Sequence, residues 1–199
     1  HALSELGNKV LMIDADPQCN LTIYSIEEEV IHGIWEQEDR FIDNGFEATK
    51  KALSRDEFSS VNRSTRSLHY LVLPTEEGTG DLEETPPPYK ITSSLDIIPG
   101  RLSLHLFEEK IAARWTDLYR GEPLALRTIT KIRELAEKYS EVLGYDYVIV
   151  DTSPSLGALN KSVISTVDGF FIPALPDLFS LYGIKNIGKA LSSWKEEFD

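Results

Sequence analysis

The chain has 199 residues, of which 41% are hydrophobic, which is enough apolar material for one well-packed core and so for a single domain. Its formal net charge of −13 argues against a nucleic-acid-binding surface, because phosphate contacts require clustered Lys and Arg. No apolar run reaches about 18 residues, so no transmembrane span is expected. The one cysteine, Cys19, excludes an internal disulfide framework and fits a reducing cytoplasm.

The first half of the chain is predicted to start with a buried strand and to continue mainly as helix. Residues 9–14 are apolar on both faces of a strand, which is typical of a central parallel strand. Residues 26–38 and 46–58 have mixed helical patterns, and residues 68–73 predict a short strand. The segment 75–90 is rich in acids, glycine and proline, so we expect a mobile surface loop with few core contacts. A partner-binding polyproline stretch is the alternative.

The second half of the chain alternates strands with helices. Strands are predicted at residues 95–98, 147–151 and 169–175, and helices at residues 102–115, 123–143, 159–167 and 180–198. Pro123 suits the first turn of a helix and Gly144 suits its end. The alternation predicts an α/β fold, with a mostly parallel β-sheet and helices on both of its faces.

Two acids follow the first predicted strand, in the run Val10-Leu11-Met12-Ile13-Asp14-Ala15-Asp16-Pro17-Gln18-Cys19-Asn20-Leu21-Thr22. The carboxyl ends of parallel strands are where α/β proteins place their ligands. The run resembles the Asp-x-Asp strand of the ParA/MinD family of deviant Walker-A P-loop ATPases, whose usual form is close to VLLIDLDPQGNAT. The run from Tyr147 to Gly157 is similar to that family's Walker B segment, roughly VLIDxPPSLG. The two matches lie far apart and in the family's order.

The resemblance implies a P-loop NTPase-like fold, but the sequence contains no G-x-x-x-x-G-K-[ST] motif. We therefore interpret residues 1–199 as a single incomplete ParA-like ATPase domain that lacks its first strand and P-loop. Residues 25–90 form an insertion for which we recognise no counterpart in the family. Because the P-loop supplies most phosphate contacts, the chain alone is expected to bind ATP weakly and to be inactive.

The resemblance also assigns roles in ATP hydrolysis to three carboxylates. Asp16 matches the acid that orients and polarises the attacking water. Asp14 matches the acid that supports the metal and the P-loop indirectly, through neighbouring groups. Asp151 matches the Walker B carboxylate, which reaches Mg²⁺ through a water molecule. The alternatives are that Asp14 and Asp16 satisfy backbone donors in a turn, and that Asp151 caps the turn after its strand.

Two positions depart from the family pattern. Cys19 replaces a glycine, so the backbone there is expected to suit a side chain, and Ser153 replaces a proline, which would loosen the turn after Asp151. Asn20 or Thr22 is expected to cap the next helix. Asn160 and Asp177 are interpreted as structural or interface residues. The four histidines and Cys19 lack metal-ligand spacing, so no zinc site is expected.

The resemblance implies that the parent protein is an ATP-binding and ATP-hydrolysing switch of the ParA type. Such a protein forms a nucleotide-dependent homodimer, responds to a ParB-like stimulating protein, and binds DNA nonspecifically, here through segments outside this chain. Plasmid or chromosome partition is favoured because the Asp-Pro-Gln motif resembles ParA sequences more than MinD sequences.

Other classes of protein remain as alternatives. The first is a noncatalytic scaffold or partner-binding protein that has the ParA-like fold but has lost the P-loop. A signalling receiver would need adjacent acids, and these are interrupted by Ala15. A nitrogenase iron protein would need further cluster-binding cysteines, which a lone Cys19 does not supply.

Overall fold

A single mixed sheet forms the centre of the fold. The structure, a computed structural model, describes residues 1–198. The strands are β1 (Val10–Asp14), β2 (Tyr89–Lys90), β3 (Leu95–Ile98) and β4 (Tyr147–Asp151). They lie in the order β2-β3-β1-β4. Strand β1 pairs in parallel with both β3 and β4, and β2 pairs antiparallel with β3. The prediction of a mostly parallel sheet is confirmed.

Within residues 1–198, helices make up most of the remaining regular structure. They are α1 (Ala2–Glu5), α2 (Asn20–Ser25), α3 (Glu28–Asp43), α4 (Phe46–Ala52), α5 (Arg55–Asn62), α6 (Leu68–Glu77), α7 (His105–Leu118), α8 (Pro123–Leu143), α9 (Ala158–Thr166) and α10 (Leu178–Phe198). The predicted ends of α8 are confirmed: Pro123 is its first residue, and Gly144 ends it at φ 71°. None of these helices is both long enough and apolar enough to cross a membrane.

Helices cover both faces of the sheet, as predicted. Met12 and Ile97 lie side by side on one face, where they pack with Ile31 of α3. Leu11 and Ile13 point to the other face and pack against helices α6 to α9. The helices that follow residue 25 also contribute to this second cluster, through side chains that are 0–2% exposed, including Phe41, Phe46 and Tyr70. Residues 25–90, the unrecognised segment, therefore pack into the main core.

The prediction of a strand at residues 68–73 is wrong, because these residues begin helix α6. The Ser67 hydroxyl accepts a hydrogen bond from the Tyr70 backbone N–H, which caps the helix. Every residue from Leu68 to Thr75 is buried. A short segment that is apolar on all sides has neither a two-residue nor a 3.6-residue period, so its pattern does not separate a strand from a buried helix.

The expectation of few core contacts in segment 75–90 is also wrong. The first residues of this segment form the last turn of α6, and the residues after Glu77 lie along α8. The Tyr139 hydroxyl donates to the Pro86 carbonyl over 2.6 Å, and the buried Lys131 ammonium lies 2.5 Å from Asp81. Leu82 is 9% exposed. Side chains of α8 thus anchor a segment whose own composition is too polar to fold alone.

Residues 169–175, a predicted strand, form no strand in the structure. A strand requires a neighbour for its backbone hydrogen bonds, and within residues 1–198 the sheet ends at β4 on this side without pairing to residues 169–175. Phe171 is 99% exposed, and Tyr147 and Ile149 on β4 are 49% and 44% exposed. The apolar side chains near this edge are present, but nothing within the described residues covers them.

Candidate functional site

The three acids singled out in the sequence meet at one end of the sheet. Asp14 and Asp151 are the last residues of β1 and β4 and are direct partners in the parallel pairing. The Ala15 backbone N–H donates to the Asp151 carbonyl over 2.8 Å, which keeps the two chains together just beyond the strands. Asp16 follows one residue later. These carboxylates therefore converge, despite more than a hundred residues between the first two acids and the third.

Asp14 is fully buried and is held by three donors. Its Oδ1 accepts the Asp16 backbone N–H at 3.2 Å, and its Oδ2 accepts both the backbone N–H (2.8 Å) and the hydroxyl (2.5 Å) of Thr22. Burial raises the pKa of Asp14, and the bonds from Thr22 oppose that rise. The carboxylate therefore has a fixed orientation in which it organises the backbone of the following turn.

Asp16 and Cys19 shape the turn after β1. Asp16 is 5% exposed; its Oδ1 accepts the Gln18 backbone N–H at 2.9 Å. The backbone at Cys19 does not suit a side chain as expected, because its φ of 57° lies in the left-handed region that favours glycine. Burial, followed by the charges of Asp14 and Asp16, raises the pKa of the Cys19 thiol to about 12. The thiol is therefore protonated at neutral pH.

Asp151 is only half-buried and faces the other two acids. Burial raises its pKa, and the negative charges of Asp14 and Asp16 raise it further. The loop that follows is held by Asn160, whose Nδ2 donates to the carbonyls of Ser153 (2.5 Å) and Ser155 (2.6 Å). This amide supplies part of the rigidity that a proline at position 153 would give.

The carboxylates suit a hard cation such as Mg²⁺. Among residues 1–198, no three or more His, Cys, Asp and Glu side chains are arranged to hold a metal ion directly. Mg²⁺ keeps several of its waters and takes oxygen ligands, so one partly exposed carboxylate is sufficient when phosphate oxygens supply the rest. A cation here would also offset the repulsion that raises the pKa of Asp151. The carboxylates at the strand ends therefore fit a Mg²⁺ ion.

Two residues of the site were not identified from the sequence. Thr22 was expected to cap a helix, but α2 begins after Cys19 without a side-chain cap, and the Thr22 hydroxyl binds Asp14 instead. The Gly100 N–H donates to that same hydroxyl over 2.7 Å. A Cβ on Gly100 would lie 3.0 Å from the Asp14 Cγ atom. The only sequence signals were a glycine two residues after a strand and a hydroxyl shortly after the acids.

Comparisons with known proteins identify the family of the chain. A family model described as AAA domain matches residues 1–199. The virulence plasmid ParA family protein pGP5-D of Chlamydia trachomatis is 27% identical over 188 residues, which cover 94% of this chain and 52% of that protein. The chain spans about half the length of the curated relatives it matches.

Solved structures show the same fold. The crystal structure of a Corynebacterium diphtheriae protein is similar with a TM-score of 0.75 and 25% identity, covering 100% of this chain and 59% of that one. Cobyrinic acid a,c-diamide synthase from Mycobacterium smegmatis, solved with a bound ATP analog and magnesium, has a TM-score of 0.59 and 17% identity. That match covers 98% of this chain and 59% of the synthase chain.

Proposed function

The chain belongs to the AAA domain family of ParA/MinD-type P-loop ATPases, and we propose on that premise that it is part of an ATP-hydrolysing switch protein of the ParA type. The reaction is phosphoryl transfer from Mg-ATP to water, and the process served is plasmid or chromosome partition. The observation that carries this proposal is the meeting of Asp14, Asp16 and Asp151 at the carboxyl ends of adjacent parallel strands.

Each carboxylate has its own role in the proposed reaction. Asp16 orients the attacking water and accepts a hydrogen bond from it, next to the place where the phosphates would lie. Asp14 holds the Asp16 backbone N–H, and so fixes where the Asp16 carboxylate points. Asp151 would hold Mg²⁺ through a water molecule; when bound, the ion offsets negative charge on the phosphates.

The phosphate cradle of the proposed enzyme is a P-loop outside the 199 residues. We place the strand that leads into it along the free edge of β4, between β4 and residues 169–175. The support is the open edge of β4 together with the exposed Tyr147, Ile149 and Phe171. In that arrangement the chain remains one domain, and residues 25–90 are an insertion that packs into its core.

The remaining properties of the proposed switch concern its partners. The full-length protein forms a nucleotide-dependent homodimer in the cytoplasm and responds to a ParB-like stimulating protein. Nonspecific DNA contact belongs to segments other than this one, since the net charge here is −13. The relatives' names support this assignment, among them a ParA family protein of a virulence plasmid and a probable plasmid-partitioning protein of Thermus thermophilus.

The experiment compares Asp16→Ala with Asp151→Ala in a full-length protein that contains its P-loop. Asp16→Ala should lower single-turnover ATP hydrolysis about a hundredfold or more while ATP affinity and ATP-driven dimerisation stay intact, because the residue acts mainly in the transition state. Asp151→Ala should also weaken Mg²⁺-dependent ATP binding. Asp168→Ala, whose side chain is 90% exposed, is the matched control.

The outcomes separate the proposals. Full hydrolysis by Asp16→Ala, or identical defects in both variants, would show that the roles are assigned wrongly. A full-length protein with an intact P-loop that binds no ATP would instead favour the noncatalytic scaffold.

A further inference from the structure

The Thr22 hydroxyl has its direction fixed by its two neighbours. The Gly100 N–H donates to Thr22 Oγ1 over 2.7 Å, so one lone pair of that oxygen is occupied. The single hydroxyl hydrogen is then directed to Asp14 Oδ2, 2.5 Å away. Thr22 is 0% exposed, so no water competes for either bond. The hydroxyl is therefore a donor to Asp14.

This bond extends through Asp14 to the proposed water-orienting acid. Asp14 Oδ2 accepts both donors of Thr22, which leaves Oδ1 facing the Asp16 backbone N–H at 3.2 Å. If the carboxyl group of Asp14 rotated, the Asp16 turn would lose this bond. Thr22 thus acts on the position of Asp16 without touching the reacting atoms.

The other side of the hydroxyl is held by helix α3. The Gly100 carbonyl accepts the Trp35 indole N–H at 3.1 Å, and Arg101 donates to the Trp35 carbonyl at 2.7 Å. Arg101 also forms ion pairs with Glu38, at 3.4 Å, and with Asp39. Glu38 is 0% exposed. These bonds clamp the turn after β3 against the Thr22 hydroxyl.

We propose that Thr22 is a positioning residue for ATP hydrolysis, and that α3, acting through Trp35 and Gly100, keeps its hydroxyl aimed at Asp14. The unrecognised segment then contributes to the site, because its first long helix braces the catalytic end of the sheet. The inference rests on the proposed function, since it takes Asp16 to be the water-orienting residue.

The first test compares Thr22→Val with Thr22→Ser in the full-length ATPase. Valine has nearly the shape of threonine but no hydroxyl, so kcat should fall about ten- to a hundredfold, while the affinity for a non-hydrolysable ATP analogue stays unchanged. Serine keeps the hydroxyl and should retain kcat within about threefold. Thr130→Val on α8, which removes an exposed hydroxyl, is the matched control and should match the wild type.

The two variants also separate positioning from mere packing. A structural role of the methyl group would make Ser at least as harmful as Val, and would lower the melting temperature without separating kcat from ATP affinity. Equal kcat losses in Val and Ser, or wild-type kcat in Val, would therefore overturn the inference. A normal Val variant beside an inactive Asp16→Ala leaves the proposed function standing, whereas a wild type that does not hydrolyse ATP removes both.

The second test addresses the contribution of α3. Trp35→Phe keeps an aromatic ring but removes the donor to the Gly100 carbonyl, so kcat should fall by about threefold. In the double variant with Thr22→Val, the loss should be smaller than the product of the single losses, because both residues act through one hydrogen-bonded path. Multiplicative losses would show that Trp35 acts independently of Thr22 and would overturn the role given to α3.

Discussion

The carboxyl end of the sheet and the free edge of β4 differ in how far their side chains are buried. At the carboxyl end, Asp14 and Thr22 are 0% exposed, and their polar atoms are bound to one another. Along the free edge and beyond, large apolar side chains face solvent: Phe171 is 99% exposed, Leu175 72% and Leu178 62%. The buried polar atoms of the first region have their hydrogen-bond partners within the chain. The second has the character of a surface that another element covers, because exposed apolar groups of this size normally mark an interface.

The contrast also separates two physical regimes. The polar site depends on hydrogen bonds and charges, so removing one partner there leaves another buried group without its bond. The apolar edge depends on burial, and a side chain that is not buried contributes little to stability. Mutations that break or sharpen the comparison should therefore have large effects at the site and small effects at the edge.

The largest effect is expected for Glu38→Ala, at the far end of the hydrogen-bonded path from Asp14. The Glu38 carboxylate accepts two bonds from Ser67 and pairs with Arg101. Its removal leaves the Ser67 hydroxyl and backbone N–H without their acceptor and takes the buried charge partner from Arg101, so unfolding should become easier by about 3–5 kcal/mol. Urea unfolding measures this, with the exposed Glu36→Ala on the same helix expected to change less than about 0.5 kcal/mol. Equal effects in the two variants would contradict the claim that this end is tightly finished.

The acids at the strand ends were predictable from the sequence, but their supports were not. Asp14 and Asp151 each end an apolar run, and parallel pairing of two such strands brings their ends together whatever the separation along the chain. The bond between Gly100 and Thr22 joins residues 78 positions apart with no pattern of their own. Its existence depends on how closely α3 presses the turn after β3.

The errors in predicting the elements have physical reasons as well. Leu68 to Leu73 is apolar throughout, so its helical state is decided by Ser67 and the surrounding core. Segment 75–90 is polar, yet Lys131 and Tyr139 of α8 hold it from a distance in sequence. Residues 169–175 carry a strand pattern, but a strand forms only where a neighbour supplies hydrogen bonds.

A smaller effect, of opposite sign, is expected for Asp151→Asn, at the boundary between the two regions. The pKa of Asp151 is raised by burial and by Asp14 and Asp16. The folded state therefore binds this proton more tightly than the unfolded state, whose pKa is about 3.9. The stabilisation that comes from protonated Asp151 is fully present below the unfolded-state pKa, and it is lost as the pH rises through the pKa of the folded state. Asn removes the charge, so at pH 7–8 the melting temperature should rise by roughly 2–4 °C.

The pH profile of that variant provides its control. The difference in melting temperature between Asp151→Asn and the wild type should shrink as the pH falls towards about 4, because the wild-type carboxyl becomes neutral. Comparing the two proteins at each pH cancels the titration of the other acids. A variant that is less stable at pH 7, or a difference that does not depend on pH, would show that the three carboxylates do not repel one another.

The smallest effect is expected for Phe171→Ala in the 199-residue chain. A side chain that is 99% exposed loses almost no burial, so the free energy of unfolding should change by less than about 0.5 kcal/mol. Phe107→Ala is the matched control. Because Phe107 is 0% exposed, this variant should lower the free energy of unfolding by about 3–5 kcal/mol.

The same pair of variants in the full-length protein tests what the apolar edge is for. If a strand lies between β4 and residues 169–175, Phe171 becomes buried, and Phe171→Ala should then cost about 2 kcal/mol or more, while the cost of Phe107→Ala stays as it was. Hydrogen exchange of the β4 amides should slow in parallel, since a new neighbour would protect the outward-facing N–H groups. A Phe171 variant that is as harmless in the full-length protein as in the chain alone would mean that this edge remains open to solvent. The P-loop strand would then have to pair elsewhere, and the placement proposed for it would be wrong.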